Sequence, residues 1–593
     1  MSILKNKFIK ILLIILLTIV IIAFSILIYV NYNLNSIINN KIYEKFNNST
    51  ISEYYDLSFN KLRINILTKN LKLFDVKFTH KTDTNKIFFN KYGSADFKID
   101  KLILRGVDIF TFIKTDSINA NKIIIKKPEI NIIKGNNNFK PFNFIEKTND
   151  TLNILVSLKT INILNAVVSY KDNDNSVIIK DLNVLLKNII VTSEINIESF
   201  NLDINKIEQF SKSYKNINNV TFKNLNVNIS KLNIKVTNDS NTYKYNNFKI
   251  KINKPKFNTK DSLYTFKSHN IAIDYKNKDI KIDNLLFTPN FSKKEFAKKF
   301  KYQVERYSVD IKSLVINDID ITKFILKPHI NANNIEINSL IADIYRDKTY
   351  PLNRNNFPIY PAQQIQKIGI PISINNISIK NSNITYIEKI SSKKTGKVDV
   401  SNLNIDINDI TNDSTKKTLK VLVKGKVRNK IPFRINVNFY YNKPLFTFNG
   451  TVFKSNLKNA NKILSSFEPI ELKNGTVNKL TFKGFANNTS SNGEMLFLYK
   501  NINVNILNND NKTTTKIKNK LTSILANTII YRNNPALGRT FPRTVKFSYI
   551  RDKNKGFINF IWKSLFNGIV ESIKPTKANQ KKYKVELKKQ KKK

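Results

Sequence analysis

Apolar and polar residues alternate along most of this chain. The period is near two from Tyr55 onward, as in Leu62-x-Ile64-x-Ile66 and Leu71-x-Leu73, and it persists for more than four hundred residues. Such alternation predicts strands with one apolar face. Leu225-x-Val227-x-Ile229 slips by one residue into Leu232-x-Ile234-x-Val236, which suits a β-bulge. Ile271-x-Ile273-x-Tyr275 and Ile280-x-Ile282 predict a hairpin around Asn277-Lys278. Helical spacing occurs only near the ends. Leu34, Ile37, Ile38, Ile42 and Phe46 predict a short helix over 33–46, and Leu521, Ile524, Leu525, Thr528 and Ile529 share one stripe over 520–531. Gly556 to Ile573 reads as a more apolar helix and carries the single Trp, Trp562.

Part of the pattern is written twice. Leu102 to Ile125 aligns with Leu314 to Ile337, matching Val107-Asp108-Ile109 with Ile319-Asp320-Ile321 and Ile118-Asn119-Ala120-Asn121 with Ile330-Asn331-Ala332-Asn333. Further on, Ile161-x-Ile163-x-Asn165-Ala166-x-Val168-x-Tyr170 corresponds to Ile377-x-Ile379-x-Asn381-Ser382-x-Ile384-x-Tyr386. A turn and a Leu-Asn strand follow each, at Leu182-Asn183 and Leu403-Asn404. Repetition on this scale predicts a modular, elongated architecture rather than one catalytic globule.

Ile11 to Val30 is an uncharged run of twenty residues, long enough to cross a bilayer as a helix. Lys5, Lys7 and Lys10 precede it and the next Lys is Lys41, which places the N-terminus in the cytoplasm. A cleaved signal peptide is the alternative. Its apolar core is usually shorter, and no small-x-small site follows Val30. The run is therefore read as an uncleaved anchor, with most of the chain beyond the membrane. The resulting division is a cytoplasmic 1–10, a transmembrane helix 11–30 and a connecting helix 31–54. Two β-modules follow at 55–270 and 271–510, then a helical or mixed cap at 511–573 and a basic tail at 574–593.

Composition changes this picture little. The formal charge is +55, from 99 Lys and Arg against 44 Asp and Glu. The excess is dispersed and accompanies abundant Asn, Ile, Phe and Tyr, the residue set of an A/T-rich genome. It forms no footprint for nucleic acid, and none is expected as a partner. Cysteine is absent, so disulfides and thiolate metal sites are excluded. His80, His269 and His329 stand far apart, and no G-x-S-x-G, H-E-x-x-H, P-loop or G-x-G-x-x-G motif occurs. No enzyme activity, metal or cofactor is expected.

A one-sided strand must have its apolar face covered. Two sheets can cover each other, a sheet can close into a barrel, or a long sheet can curl into a trough filled by something apolar that is not protein. Strands of six to eight residues are roughly 20 to 27 Å long, enough to wall a groove for an acyl chain. The candidate lining is Ile123, Ile125, Ile130, Ile132, Ile161 and Ile163 in the first copy. In the second it is Ile335, Ile337, Ile377, Ile379, Ile405 and Ile407.

The order of these features carries a resemblance. An N-terminal anchor precedes strand units that end in Ile123-Ile124-Ile125-Lys126-Lys127-Pro128-Glu129-Ile130-Asn131-Ile132. A Gly135-x-x-Asn138-Phe139 turn, the 161–170 unit and Ile470-Glu471-Leu472-Lys473-Asn474-Gly475-Thr476 follow. The chain resembles, over most of its length, the AsmA-like family of diderm bacterial envelope proteins, related to TamB and to chorein-type bridge lipid-transfer proteins. The resemblance implies a mostly β fold, an elongated, curled antiparallel sheet forming a groove, with an N-terminal transmembrane helix and C-terminal helices. It also implies an inner-membrane anchor, a periplasmic groove for phospholipid, and a role in phospholipid transport to the outer membrane or in outer-membrane biogenesis. An outer-membrane or periplasmic protein partner would fit that role. A structural tether with a dry β core is the alternative. The second copy departs from the pattern at Ser339-Leu340-Ile341-Ala342, where the first has Lys127-Pro128-Glu129-Ile130. Gly556 to Ile573 is read as core or as a cap on the groove. Phe557, Phe560 and Trp562 are the membrane-contact candidates if it lies at an interface.

Overall fold

A computed structural model describes residues 36–574, apart from 66–67, 82–92, 108–119, 136–155, 173–174, 193, 212–216, 237–240, 327–328, 414–415, 468–469, 507–529 and 539. The expected anchor over Ile11 to Val30, most of the 520–531 stripe and nearly all of the basic tail lie outside these residues. Among the described residues no helix is long and apolar enough to cross a membrane. The protein is mostly β, with twenty-five strands among the described residues hydrogen-bonded into mixed sheet. Two compact units divide the chain. The first runs to Asn284 and takes in Ile325–Lys327; the second comprises Leu285–Phe324 and Pro328–Lys593.

The first unit opens with helix α1 (Ser36–Asn47), whose apolar stripe buries Ile42 and Phe46. Its strands are β1 (Tyr55–Ser58), β2 (Lys61–Asn65), β3 (Asn70–His80), β4 (Gly93–Arg105), β5 (Ala120–Lys134), β6 (Val156–Lys171) and β7 (Asn175–Val191). They continue as β8 (Ile195–Ser211), β9 (Ile217–Val236), β10 (Asn241–Lys244), β11 (Asn247–Thr259), β12 (Tyr264–Lys267), β13 (Asn270–Asp274) and β14 (Asp279–Pro289), which crosses the unit boundary. From β3 to β9 each strand pairs with its sequence neighbour. The hairpin around Asn277-Lys278 forms as the alternation predicts, pairing Ile271 with Ile282 and Ile273 with Ile280.

The second unit holds α2 (Lys293–Lys298), β15 (Glu305–Asn317), α3 (Ile321–Leu326, whose last two residues fall in the first unit), β16 (Ile330–Asp347), α4 (Pro361–Gln366), β17 (Ile372–Lys389), β18 (Thr395–Thr411) and β19 (Thr418–Val427). β20 (Ile431–Tyr440), β21 (Phe446–Val452), β22 (Ser455–Asn456), α5 (Asn461–Phe467), β23 (Ile470–Ala486), β24 (Ser490–Ile506), β25 (Thr544–Ile550) and α6 (Phe557–Ile573) complete it. Here too the order along the sheet follows the sequence, from β15 through β21, β23 and β24 to β25.

The expectation of a purely antiparallel sheet is corrected at two places: β5 pairs with β6, and β16 with β17, in parallel. A parallel pair requires a crossover of a dozen or more residues. Residues 135–155 and 348–371 supply that length. The two parallel pairs are the two copies of the repeat, so the repeated unit is a strand, a parallel crossover and an antiparallel return.

Backbone conformation carries the repeat further than side-chain identity does. Gly106 (φ 65°) corresponds to Asp318 (53°), Lys127 (46°) to Ser339 (55°), Asn165 (54°) to Asn381 (52°) and Asp181 (52°) to Asn402 (48°). All are left-handed. The register shifts that follow also match, at Ile163/Ala166/Val168 and at Ile379/Ser382/Ile384. The apparent departure at Ser339-Leu340-Ile341-Ala342 is thus a change of residues on the same bulged backbone. The phase slip at 229–232 has the same cause, a left-handed Lys231 (φ 51°). Most of these sites hold Asn, Asp or Gly, which visit this region at little cost. A β-branched residue is strained there. Asn381→Val is expected to lower stability by about 1–2 kcal/mol, read as a fall in melting temperature, whereas Asn381→Gly leaves it within error.

Candidate functional site

Cross-strand register aligns the apolar residues of each unit into rows. In the first unit one row runs Leu104, Ile123, Ile161, Leu186, Phe200, and its neighbour runs Leu102, Ile125, Ile163, Val184, Leu202. Every member is at most 3% exposed. Beyond the bulge, Ile130 and Ile132 are also buried, and all of these residues belong to one continuous core. The six lining candidates of the first copy therefore sit in a sealed core.

The equivalent rows of the second unit are not sealed. One runs Ile316, Ile335, Ile377, Ile407, Val421; the other runs Leu314, Ile337, Ile379, Ile405, Val423, Ile435. All of these side chains are half-buried. The second row crosses β15 to β20, five strand spacings or about 24 Å; the first stays half-buried as far as β19 and meets buried Val437 on β20. The other face of the same strands is a polar ladder. Asn376 Nδ2 donates to Asn408 Oδ1 at 2.9 Å, Ser378 Oγ to Asp406 Oδ1 at 3.2 Å, and Asn436 Nδ2 to Asn449 Oδ1 at 3.0 Å. An apolar ribbon backed by a hydrogen-bonded polar face is what the structure presents.

Towards β25 the ribbon disappears under protein. Phe448, Phe482, Met495 and Phe547 continue the rows and are buried. Glycines make room for them: a Cβ at Gly493 would lie 2.4 Å from Phe547, and one at Gly450 would lie 2.5 Å from Phe482. Helix α6 covers this end, its Ser564 Oγ 2.6 Å from Ser491 Oγ. Of the three membrane-contact candidates, Phe560 is buried and packs on Phe446, Phe557 packs edge-on against Phe439 at 5.3 Å, and Trp562 is 42% exposed. The helix thus acts as a cap with two of those rings turned inward.

The strand ends of the ribbon carry charge. Past the bulge the apolar face continues on β16 through Ala342 and Ile344 to Arg346. On β17 it continues through Ser382, Ile384 and Tyr386 to Glu388, and on β15 through Val309 and Tyr307 to Glu305. Arg346 Nη2 is 2.6 Å from Glu305 Oε1, Lys348 Nζ is 2.8 Å from Glu388 Oε2, and Tyr386 Oη donates to Glu388 Oε1 at 2.8 Å. Burial pushes the Tyr386 hydroxyl far above the usual phenol range, so it remains a neutral donor. Lys555, in the turn before α6, stands close enough to these groups that burial, followed by repulsion from Lys348, holds its ammonium below the usual lysine range.

Sequence reading missed this rim. Its signal was the Tyr-x-acid pair that closes both copies: Tyr170 Oη donates to Asp172 Oδ2 at 3.2 Å just as Tyr386 does to Glu388. Among the described residues no three His, Cys, Asp or Glu side chains form a metal-holding group. No family model and no curated protein matches this chain.

Proposed function

We propose that this chain is an inner-membrane-anchored, periplasmic protein of the AsmA-like kind. In this reading it binds phospholipid on the apolar ribbon of its second unit and takes part in phospholipid transport to the outer membrane or in outer-membrane biogenesis. The observation that carries the proposal is the contrast between the copies: equivalent Ile and Leu rows are sealed in the first unit and half-buried in the second. Water against two continuous apolar rows is costly, at roughly 25 cal/mol for each Å² left uncovered. An acyl chain laid along a row meets only Ile, Leu and Val, and a row is about the length of such a chain. The resemblance noted in the sequence points to the same cargo. The first unit, with its dry core, serves as the structural part. A structural tether with a dry β core that docks a protein partner is the second reading, and the sealed core of the first unit favours it there.

The test is mass spectrometry of lipids retained by the full chain purified in mild detergent. It is run beside a triple variant, Ile337→Asp, Ile379→Asp and Ile405→Asp. Retained phospholipid is expected to fall at least tenfold in the variant while its melting temperature moves by only a few degrees. A folded native protein without phospholipid would remove the lipid reading and leave the tether.

A further inference from the structure

The charged rim deepens this reading, and rests on it, by pointing to the part of the lipid that is not apolar. In the first copy the equivalent rim positions are Gly93, Lys134 and Asp172; in the second they are Glu305, Arg346 and Glu388. The second copy adds Lys348 from the start of its crossover and Lys555 from the turn before α6, neither of which has a counterpart among the described residues of the first. That turn is held in place: Asn554 Nδ2 donates to Arg354 O at 2.7 Å and to Asn356 O at 2.9 Å, both on the crossover that Lys348 begins.

Two features of the rim ask for an anion. Three cations, Arg346, Lys348 and Lys555, face two rim carboxylates, Glu305 and Glu388, which already pair with Arg346 and Lys348. Asp552, the remaining carboxylate near Lys555, is exposed to solvent and leaves the ammonium destabilised on balance. In addition, the Nε of Arg346 is buried without an acceptor. A guanidinium N–H and a crowded ammonium at the end of an apolar surface are the groups that recognise a phosphate oxygen. Tyr307 and Tyr386 line the same stretch between ribbon and rim, an aromatic-to-polar transition like that at a membrane interface.

We propose that this rim binds the phosphate of a phospholipid headgroup, with Lys555, Arg346 and Lys348 as its cationic ligands and the acyl chains on the adjacent Ile rows. It follows that the second unit selects phospholipids of net negative charge over zwitterionic ones, because an added ammonium in the zwitterion would meet the same three cations.

The experiment uses the full chain in mild detergent, equilibrated with equimolar phosphatidylglycerol and phosphatidylethanolamine and analysed by lipid mass spectrometry. The wild type is expected to retain phosphatidylglycerol in about five- to tenfold preference. Lys555→Glu should abolish that preference while total retained lipid stays within about twofold, and Lys555→Arg should keep it. An unchanged ratio in Lys555→Glu overturns the proposal. If the wild type retains no lipid, the acyl reading fails, and titration of the same sample with inorganic phosphate decides what remains. Phosphate binding lost in Lys555→Glu would then keep the anion site and reject the headgroup as its source. No phosphate binding would reject the rim as an anion site altogether.

Discussion

Ile163→Asp is expected to unfold the first unit. Ile163 is fully buried, lies in the row formed with Ile125 and Val184, and belongs to the continuous core of that unit. The substitution removes a branched side chain from close packing and puts a carboxylate where the row offers only apolar neighbours. Each part alone is among the large destabilising effects, and together they exceed about 4 kcal/mol. The equivalent Ile379→Asp should cost far less, because Ile379 is half-buried and its carboxylate can reach water. The pair makes a direct comparison at matched positions of the repeat. Hydrogen exchange on each variant should show protection lost across β5 to β8 for Ile163→Asp and largely kept across β16 to β19 for Ile379→Asp. Equal losses would mean that the two faces are covered alike, and would remove the ground for assigning lipid to the second unit.

Much of the fold was legible because a period of two survives even a composition rich in Asn and Lys. The helix expected over 33–46 forms over Ser36–Asn47, the alternation begins at β1 with Tyr55, and Gly556 to Ile573 forms α6 with Gly556 at its N-cap. The parallel pairs were not legible. Alternation states that a residue faces in or out but not which strand lies beside it, and the direction of pairing depends on where a crossover returns. The rim was hidden for a related reason. Arg346 and Glu388 share a face with Ile337 and Ile379 only because left-handed Ser339 and Asn381 each shift the alternation by one. Counting by twos from Ile337 places Arg346 on the opposite face. Whether a row is sealed or open was likewise out of reach, since Ile163 and Ile379 look the same in their local sequence. Only the structure separates them.

Arg551→Ala should release the crossover of the second unit, and the effect should be large for a single side chain. Arg551 is 8% exposed and sits beside β25, where its Nη1 donates to Tyr360 Oη at 2.9 Å and to Asn488 Oδ1 at 3.2 Å, and its Nη2 donates to Pro358 O at 2.6 Å. Its guanidinium also lies over the Tyr360 ring, 4.6 Å from the centroid. Tyr360 is itself buried against Phe446 and donates to Asn487 O at 2.8 Å, so one arginine joins the crossover to the last two long strands of the sheet. Truncation removes charge-assisted bonds to a carbonyl and a phenol that stay buried, which costs about 2–4 kcal/mol. Arg551→Lys keeps the charge but loses the fork, and should fall between the two. The loss should appear first as hydrogen exchange about 10- to 100-fold faster over residues 350–366, before the strands themselves open. The rim follows from this. Lys348 begins the crossover, and Asn554, which fixes the Lys555 turn, is bonded to Arg354 and Asn356 on it. Freeing the crossover should therefore separate the rim cations and weaken anion selection while leaving the Ile rows in place. If exchange over 350–366 is unchanged, the crossover is held by its other bonds, among them Gln363 Nε2 to Tyr440 O at 2.7 Å and Asn554 Nδ2 to Arg354 O at 2.7 Å, and Arg551 has no part in holding the rim together.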